Sequence, residues 1–219
     1  MPGPNECLAA IHLCRVRATR LNDDGSPKSG PNNVYVSDSP IQLAITPTYE
    51  AGKDSTLVGG CDCIIATYRG FDKLKRFEFE LDLGKLEWGL FEMLTGGSVI
   101  LSAGNLIGNW FTVNAFDCSV AAQPNICFEG WQTGWSEDRQ DATYPYVHWI
   151  WPSTFWSVGT DTLQNDFNQP KMTGFSRGNT QWGLGIFGDL PEAAQALGGG
   201  FYSTTIPTAV CGYQTYHVT

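Results

Sequence analysis

The stretch KRFEFELDLGKLEWGLFEMLTGG, residues 75–97, combines the two patterns that decide the fold. Its first half alternates strictly between apolar and acidic side chains: Phe77, Glu78, Phe79, Glu80, Leu81, Asp82 and Leu83. A period of two predicts a β-strand with one buried face and one acidic face. In its second half the apolar residues recur at helical spacing, which predicts a short helix near 86–95. Gly96 and Gly97 are expected to supply its left-handed C-terminal cap.

Most of the remaining chain predicts short strands separated by Gly, Asn, Asp and Pro. The segment YPYVHWIWPSTF is apolar on both parities, which indicates a strand buried on both faces. Polar stretches predict inter-strand loops at about 22–33, with a turn at Asp24-Gly25, and at about 46–60. A short helical turn is expected at 191–197. We therefore predict one mainly β (α+β) domain spanning 1–219, with a Trp-rich β elaboration in its second half.

The composition is rich in aromatic residues and poor in charge. Aromatics make up 13% of the chain, with eight Trp, whereas charged residues make up only 16%. Buried interfaces favour this balance, and an unusually large single core produces the same bias; both interpretations stay open. The net charge of −9 argues against binding the outside of a nucleic-acid duplex, which needs a basic patch. It leaves open a surface that nucleic acid slides past.

Cysteine and histidine patterns predict no metal site and no enzyme. The seven Cys include no C-x₂-C pair, and no His stands at ligand spacing. His12, His148 and His217 lie outside every hydrolase or metalloprotease motif, so each is interpreted as an ordinary core or surface residue. We expect no catalytic residue and no cofactor, with free and mostly buried thiols in a reducing cytosol. Neither a signal peptide nor a membrane span of about eighteen apolar residues is predicted.

A carbohydrate-binding or carbohydrate-active β-domain is the main alternative from the residues. The Trp-rich segment YPYVHWIWPSTFW, residues 144–156, offers aromatic rings for stacking on sugars. The chain's 22 acids leave room for a glycosidase-type carboxylate pair, whose separation the sequence does not set.

The first hundred residues resemble the major tail (tail tube) proteins of long-tailed phages that infect actinobacteria. The resemblance rests on CRVRATRLNDDGSPKSG, NNVYVSDSPIQL, GCDCIIATYRGFDKLKRFEFELDL and FEMLTGG, which follow one another in that order. The matching positions are Arg15, Arg17, Arg20, Leu21, residues 35–38, Tyr68, Gly70, Asp72, residues 74–76 and residues 94–97. The sequence beyond Gly108 departs from this pattern.

The resemblance implies a β-sandwich or half-barrel with one flanking helix. It implies subunits that close into hexameric rings and stack into a tube through which DNA passes. The expected partners are further copies of the chain, the tape measure, terminator and distal tail proteins, and transiently passing DNA. The expected location is the virion, after assembly in the cytoplasm of the host bacterium. A distal-tail or capsid decoration protein stays open, because one fold serves several such roles.

Two sets of site residues follow from the resemblance. The candidate lumen-facing acids are Glu78, Glu80 and Asp82, which would repel phosphate over a Debye length of roughly 8 Å; an ordinary solvated face is the alternative. Stacked rings also need a contact that propagates instead of closing, and the two polar loops are candidates for it. We expect one of them to become fixed only between rings. The candidate ring-stacking residues are Asp23, Asp24, Lys28, Lys53 and Asp54, and part of the Trp and Tyr excess is expected between subunits.

Overall fold

The computed structural model describes residues 8–110, 123–136, 138–160, 169–179 and 197–216. This part of the chain contains one α-helix, α1 (Trp88–Thr95). Its strands are β1 (Ala9–Arg20), β2 (Gly30–Ser37), β3 (Pro40–Glu50), β4 (Asp54–Val58), β5 (Ile64–Arg69), β6 (Lys73–Leu83), β7 (Ser98–Ser102), β8 (Asn105–Trp110), β9 (Ile126–Ser136), β10 (Arg139–Gln140), β11 (Tyr146–Val158), β12 (Lys171–Ser176), β13 (Gly199–Ser203) and β14 (Gly212–Tyr216).

One large antiparallel sheet organises the fold. Its strands follow the order β14-β2-β1-β9-β11-β12-β6-β3, with β10 beside β9 and β13 beside β11. The outer strand β3 also packs against β1, so the sheet curls and brings its far edge back over its middle. Two hairpins, β4–β5 and β7–β8, form separate two-stranded sheets. The prediction of a mainly β chain with one short helix is confirmed.

Strand β6 has the two faces that its sequence predicts. Phe79, Leu81 and Leu83 are buried in the main core, whereas Glu80 on the opposite face is exposed. The core continues through Phe128 and Trp156, and the ring of Phe79 stacks on that of Trp156 with centroids 5.6 Å apart. Apolar side chains from distant parts of the sequence thus pack against β6, and their burial explains why this strand lies inside the sheet.

Helix α1 covers one opening of the curled sheet. Leu90 and Leu94 are fully buried in the main core, and Gly96 ends the helix at φ 74° as predicted. The helix begins two residues later than expected, and its eight residues make little more than two turns. Leu86, which the spacing had placed in the helix, lies before it with 45% of its surface exposed. The chain still bends at Gly84, whose amide donates to the Ser39 carbonyl.

The two predicted loops are shorter than expected. The prediction for 46–60 is wrong, because β3 runs to Glu50 and β4 occupies Asp54–Val58. A hairpin exposed on both faces has no apolar–polar alternation, so its sequence reads as a polar connector. In the 22–33 stretch β2 already begins at Gly30. The turn is confirmed, since the Gly25 amide donates to the Asn22 carbonyl over 2.9 Å and Gly25 has φ +90°.

The described cysteines and tryptophans also depart from expectation. Of the five described cysteines only Cys127 is buried, and three are exposed. Trp131, Trp151 and Trp156 lie in the interior, so these tryptophans stabilise the subunit itself. The helical turn predicted at 191–197, the strand candidate QWGLGIF and His217 fall outside the described ranges or, for residue 197, at their edge. No helix in the described ranges is long and apolar enough to cross a membrane.

Candidate assembly surfaces

A two-stranded arm, residues 51–72, extends from one end of the main sheet. It consists of β4, a 3₁₀ turn at Gly60–Asp62 and β5, and it continues β3 and β6 beyond their last pair, Glu50 and Lys73. Every residue of β4 and β5 is exposed. Among the described elements these two strands pack substantially only against each other. The arm therefore lacks the buried face that stabilises the rest of the fold.

The arm carries several strongly exposed apolar side chains. Leu57, Ile64 and Ile65 are each 59–67% exposed, and Phe71 at the base of the arm is 94% exposed. An isolated two-stranded hairpin is marginally stable in water, and contiguous exposed apolar surface marks an interaction site. From the sequence we expected part of the Trp and Tyr excess of the second half to lie between subunits. Among the described residues, the exposed apolar side chains instead concentrate in the first third of the chain.

Two glycines fix the base of the arm. A side chain on Gly52 would overlap the carbonyl oxygen of Gly70, so the two backbones approach more closely than any other residue allows. The Gly70 amide donates to the Lys53 carbonyl, and the Gly52 amide donates to Asp72 Oδ1, each over 2.9 Å. These bonds give Gly70 and Asp72 a structural role at the base of the arm.

The tip of the arm is a tight turn. Cys61 and Asp62 adopt φ values of 59° and 57°, a left-handed conformation that is uncommon for residues other than glycine. The Gly59 amide closes the turn on the Cys63 carbonyl over 2.7 Å. Cys61 and Cys63 are both exposed, so the tip presents two accessible thiols.

All five predicted ring-stacking residues are exposed. Asp23, Asp24 and Lys28 lie in the β1–β2 turn, where the Ser26 hydroxyl and amide donate to Asp24 and lower its pKa. Lys53 and Asp54 lie at the base of the arm. Strands β1, β9, β11, β12 and β6 follow one another across the sheet in antiparallel pairs, so β1 and β6 run in the same direction. The β1–β2 turn follows the last residue of β1 and the arm precedes the first residue of β6, so the two leave from opposite ends of the sheet.

The predicted lumen acids share one face of β6, but each has a cationic partner. Arg76 contacts Glu78 at 2.7 Å, and Lys171 lies 3.0 Å from Glu80 and 3.4 Å from Asp82. These carboxylates raise the pKa of Lys171, first through the hydrogen bond to Glu80 and then through the charge of Asp82. The face is therefore a mixed-charge surface and not the bare acidic wall that the sequence predicted. The sequence could not reveal the strand pairing that brings Lys171 to these acids, because Lys171 lies 91 residues after Glu80.

The arginines that open the resemblance point into the subunit. Arg17 donates from Nε and a terminal nitrogen to Glu129 over 2.6 and 2.7 Å, and it lies over the Trp131 ring. His148 Nε2 lies 2.9 Å from the same carboxylate, and its ring stacks on Trp131. Burial alone would raise the pKa of Glu129, but Arg17 and His148 outweigh it and hold the pKa below its ordinary value.

The two neighbouring arginines of β1 are also bound internally. Arg20 pairs with Glu92 of α1 and its Nε donates to Met93 Sδ over 3.3 Å, while Arg15 donates to the Pro207 carbonyl. These three arginines of β1 therefore hold the fold together through contacts within the subunit.

One open cleft retains accessible aromatic rings. It is lined by Trp149, Phe201 and Tyr202, and the Tyr144 ring lies 5.7 Å from that of Tyr202. Trp151 and Trp156 of the segment predicted to stack on sugars are buried in the core instead. Of the tryptophans in that segment, Trp149 at this cleft is the one that remains partly exposed.

Comparison with known proteins leaves these surfaces as the main guide to function: no protein-family model matches the chain, and no curated protein matches it.

Proposed function

We propose that this chain is the structural subunit of a phage tail tube, which assembles with copies of itself into stacked, hexameric rings around passing DNA. The observation that carries the proposal is the arm, residues 51–72, with apolar side chains exposed on a hairpin whose strands pack substantially against no other described element. The resemblance in the first hundred residues supplies the type of assembly. In this proposal the chain is not an enzyme. It works in the virion after assembly in the host cytoplasm and contacts other tail proteins at the ends of the tube.

The position of the arm favours stacking. The β1–β2 turn leaves from the opposite end of the sheet, so a neighbour at the end that carries the arm meets the arm and not this turn. Contact between this end of one copy and a different surface of the next is heterologous, and such contacts propagate into rings or filaments. Burial of the arm's apolar side chains on a second copy supplies the stabilisation that a lone hairpin lacks.

The electrostatics are compatible with DNA that slides without adhering. The chain has a net charge of −9, and the arginines of β1 are bound to acceptors within the subunit. The acids of β6 are balanced by Arg76 and Lys171, so the described part of that face offers DNA neither a basic patch nor a strong barrier.

Sedimentation velocity combined with negative-stain microscopy tests this proposal. The wild type is expected to form rings or tubes as its concentration rises. The double variant Leu57→Glu/Ile65→Glu places two charges on the arm and is expected to stay monomeric. Val158→Glu, a substitution at a 41% exposed position of β11 outside the arm, serves as the control and should assemble normally. A wild type that stays monomeric at every concentration, or an arm variant that assembles like the control, contradicts the proposal.

Glycan binding is the second candidate, and the cleft at Trp149, Phe201 and Tyr202 is the observation that favours it. A glycan array distinguishes the two. Specific binding that is lost in Tyr202→Ala, by a protein that remains monomeric, would favour a carbohydrate-binding domain over a tube subunit.

A further inference from the structure

Three polar side chains from distant parts of the sequence meet near the ends of β3 and β6 that lie away from the arm. Asp38 follows β2, Glu87 precedes α1 and Cys211 precedes β14. The Cys211 thiol donates to Asp38 Oδ1 over 2.7 Å and lies 3.8 Å from Glu87 Oε1. One ligand atom from each residue lies within 4.8 Å of the other two. The cluster joins the β2–β3 turn, the start of the helix and the C-terminal strand.

Glu87 is the unusual member of this group. It stands at the N-cap of α1, yet its side chain makes no capping hydrogen bond, and it is only 6% exposed. Its Oε1 accepts from the hydroxyls of Ser37 and Ser39, which directs the carboxylate toward Cys211. Its Oε2 is buried and has no hydrogen-bond partner of ordinary geometry. Burial of a carboxylate is costly unless its charge is compensated, and a cation bound at Oε1, on the Cys211 side, is one way to compensate it.

The Glu87 carboxylate shifts the pKa of a neighbouring side chain. Burial and then the charge of Glu87 raise the pKa of the Tyr35 phenol above its ordinary value. Burial and the hydrogen bond to Asp38 raise the pKa of the Cys211 thiol, which therefore remains protonated at neutral pH. Two carboxylates and a thiol thus share a site whose only described ion pair is the contact of Lys85 with Asp38 at 3.3 Å.

We infer that Asp38, Glu87 and Cys211 bind a divalent transition-metal ion of the Zn²⁺ type. Zn²⁺ takes thiolate at about 2.3 Å and carboxylate oxygen at about 2.1 Å, so a tetrahedral site needs sulfur–oxygen separations of about 3.6 Å. The separations of 2.7 and 3.8 Å lie on either side of this value, and a small shift of Asp38 suffices. The thiolate selects Zn²⁺, Cd²⁺ or Co²⁺ over Mg²⁺ and Ca²⁺, and water fills the fourth position.

Two groups must move when the ion binds. The thiol of Cys211 gives its proton to solvent, because only the thiolate is a metal ligand. Lys85 moves away from Asp38, which its 62% exposed side chain can do without disturbing the core. The ion then fastens β14, an outer strand of the sheet, to the helix and to the β2–β3 turn.

Titration with Co²⁺ followed by absorption spectroscopy tests the site, because a Co²⁺–thiolate bond gives a charge-transfer band in the near ultraviolet. Cys61 and Cys63 are accessible thiols at the tip of the arm, so the full chain carrying Cys61→Ser/Cys63→Ser serves as the parent protein. The parent is expected to show the band, which competing Zn²⁺ removes. Zn²⁺ should also raise the melting temperature of the monomer, a readout that does not require assembly.

Variants then separate the site from adventitious binding. Cys211→Ser is expected to abolish the band, and Glu87→Gln to weaken Co²⁺ binding at least tenfold. Cys14→Ser, at a half-buried thiol outside the cluster, should leave binding unchanged. Lys85→Met should strengthen binding, because it removes the cation that competes for Asp38. Absence of the band at millimolar Co²⁺, or a band that persists in Cys211→Ser, overturns the inference whatever the protein's assembly state.

Discussion

The substitution Arg17→Met is expected to lower the free energy of unfolding of the subunit far more than the same substitution of an exposed arginine. Glu129 is completely buried and Arg17 only 16% exposed, and the two form a two-pronged ion pair at the centre of the sheet. Arg17→Met leaves the carboxylate of Glu129 in the interior with His148 as its remaining described hydrogen-bond partner. Breaking one side of a buried ion pair costs about 3–5 kcal/mol.

The matched control is Arg76→Met. Arg76 also pairs with a glutamate, but the side chains of Arg76 and Glu78 are 41% and 46% exposed, so solvent screens their attraction. Exposed pairs of this kind contribute about 0–1 kcal/mol. The two variants therefore remove the same residue type from the same kind of partner and differ in burial.

Urea unfolding followed by tryptophan fluorescence measures both variants, at a concentration where the protein is monomeric. A double variant, Arg17→Met/Glu129→Leu, removes both charges and should recover much of the lost stability, because no uncompensated charge remains inside. Equal free energies of unfolding for the Arg17→Met and Arg76→Met variants, both within about 1 kcal/mol of the wild type, would refute the reasoning.

Three further predictions follow from the same geometry. The pKa of Glu129 is lower in the folded chain than its ordinary 4.5, so its contribution to stability is complete above about pH 4.5 and is lost as the pH falls further; unfolding curves from pH 7 to 3 should show a smaller acid loss in Glu129→Gln. Leu81→Ala should lower the free energy of unfolding by about 2–5 kcal/mol and Glu80→Ala by less than about 1 kcal/mol, since these neighbours occupy the buried and exposed faces of β6; equal losses in urea unfolding would contradict the two-faced strand. Gly52→Ala should spread the base of the arm, increase proteolytic cleavage within residues 51–72 and leave the melting temperature of the main sheet nearly unchanged, and an unaltered cleavage pattern would count against the close approach to Gly70.

Features that depend on neighbours in sequence were predictable. The alternation of β6 and the glycine cap of α1 are local patterns, and both are confirmed. The turn at Gly25 follows from its need for positive φ. The burial of β11 on both faces follows from its continuous apolar sequence.

The sequence did not predict features that depend on how distant strands pair, or on a segment that has no buried face. Lys171 neutralises the β6 acids only because β12 pairs with β6 in one particular register. Glu87 and Cys211 are brought together from positions 124 residues apart. The arm has no buried face, so the periodicity that reveals other strands is missing from its sequence.

Hydrogen exchange at the backbone amides of residues 51–72, compared between monomer and assembled protein, tests the central claim most directly. Local protection reports how often a segment opens, and an unsupported hairpin should exchange rapidly in the monomer. If the arm docks on another copy, its amides become strongly protected on assembly, while those of β9 and β11 exchange slowly in both states. Equally fast exchange of the arm in both states would show that this hairpin does not hold the assembly together.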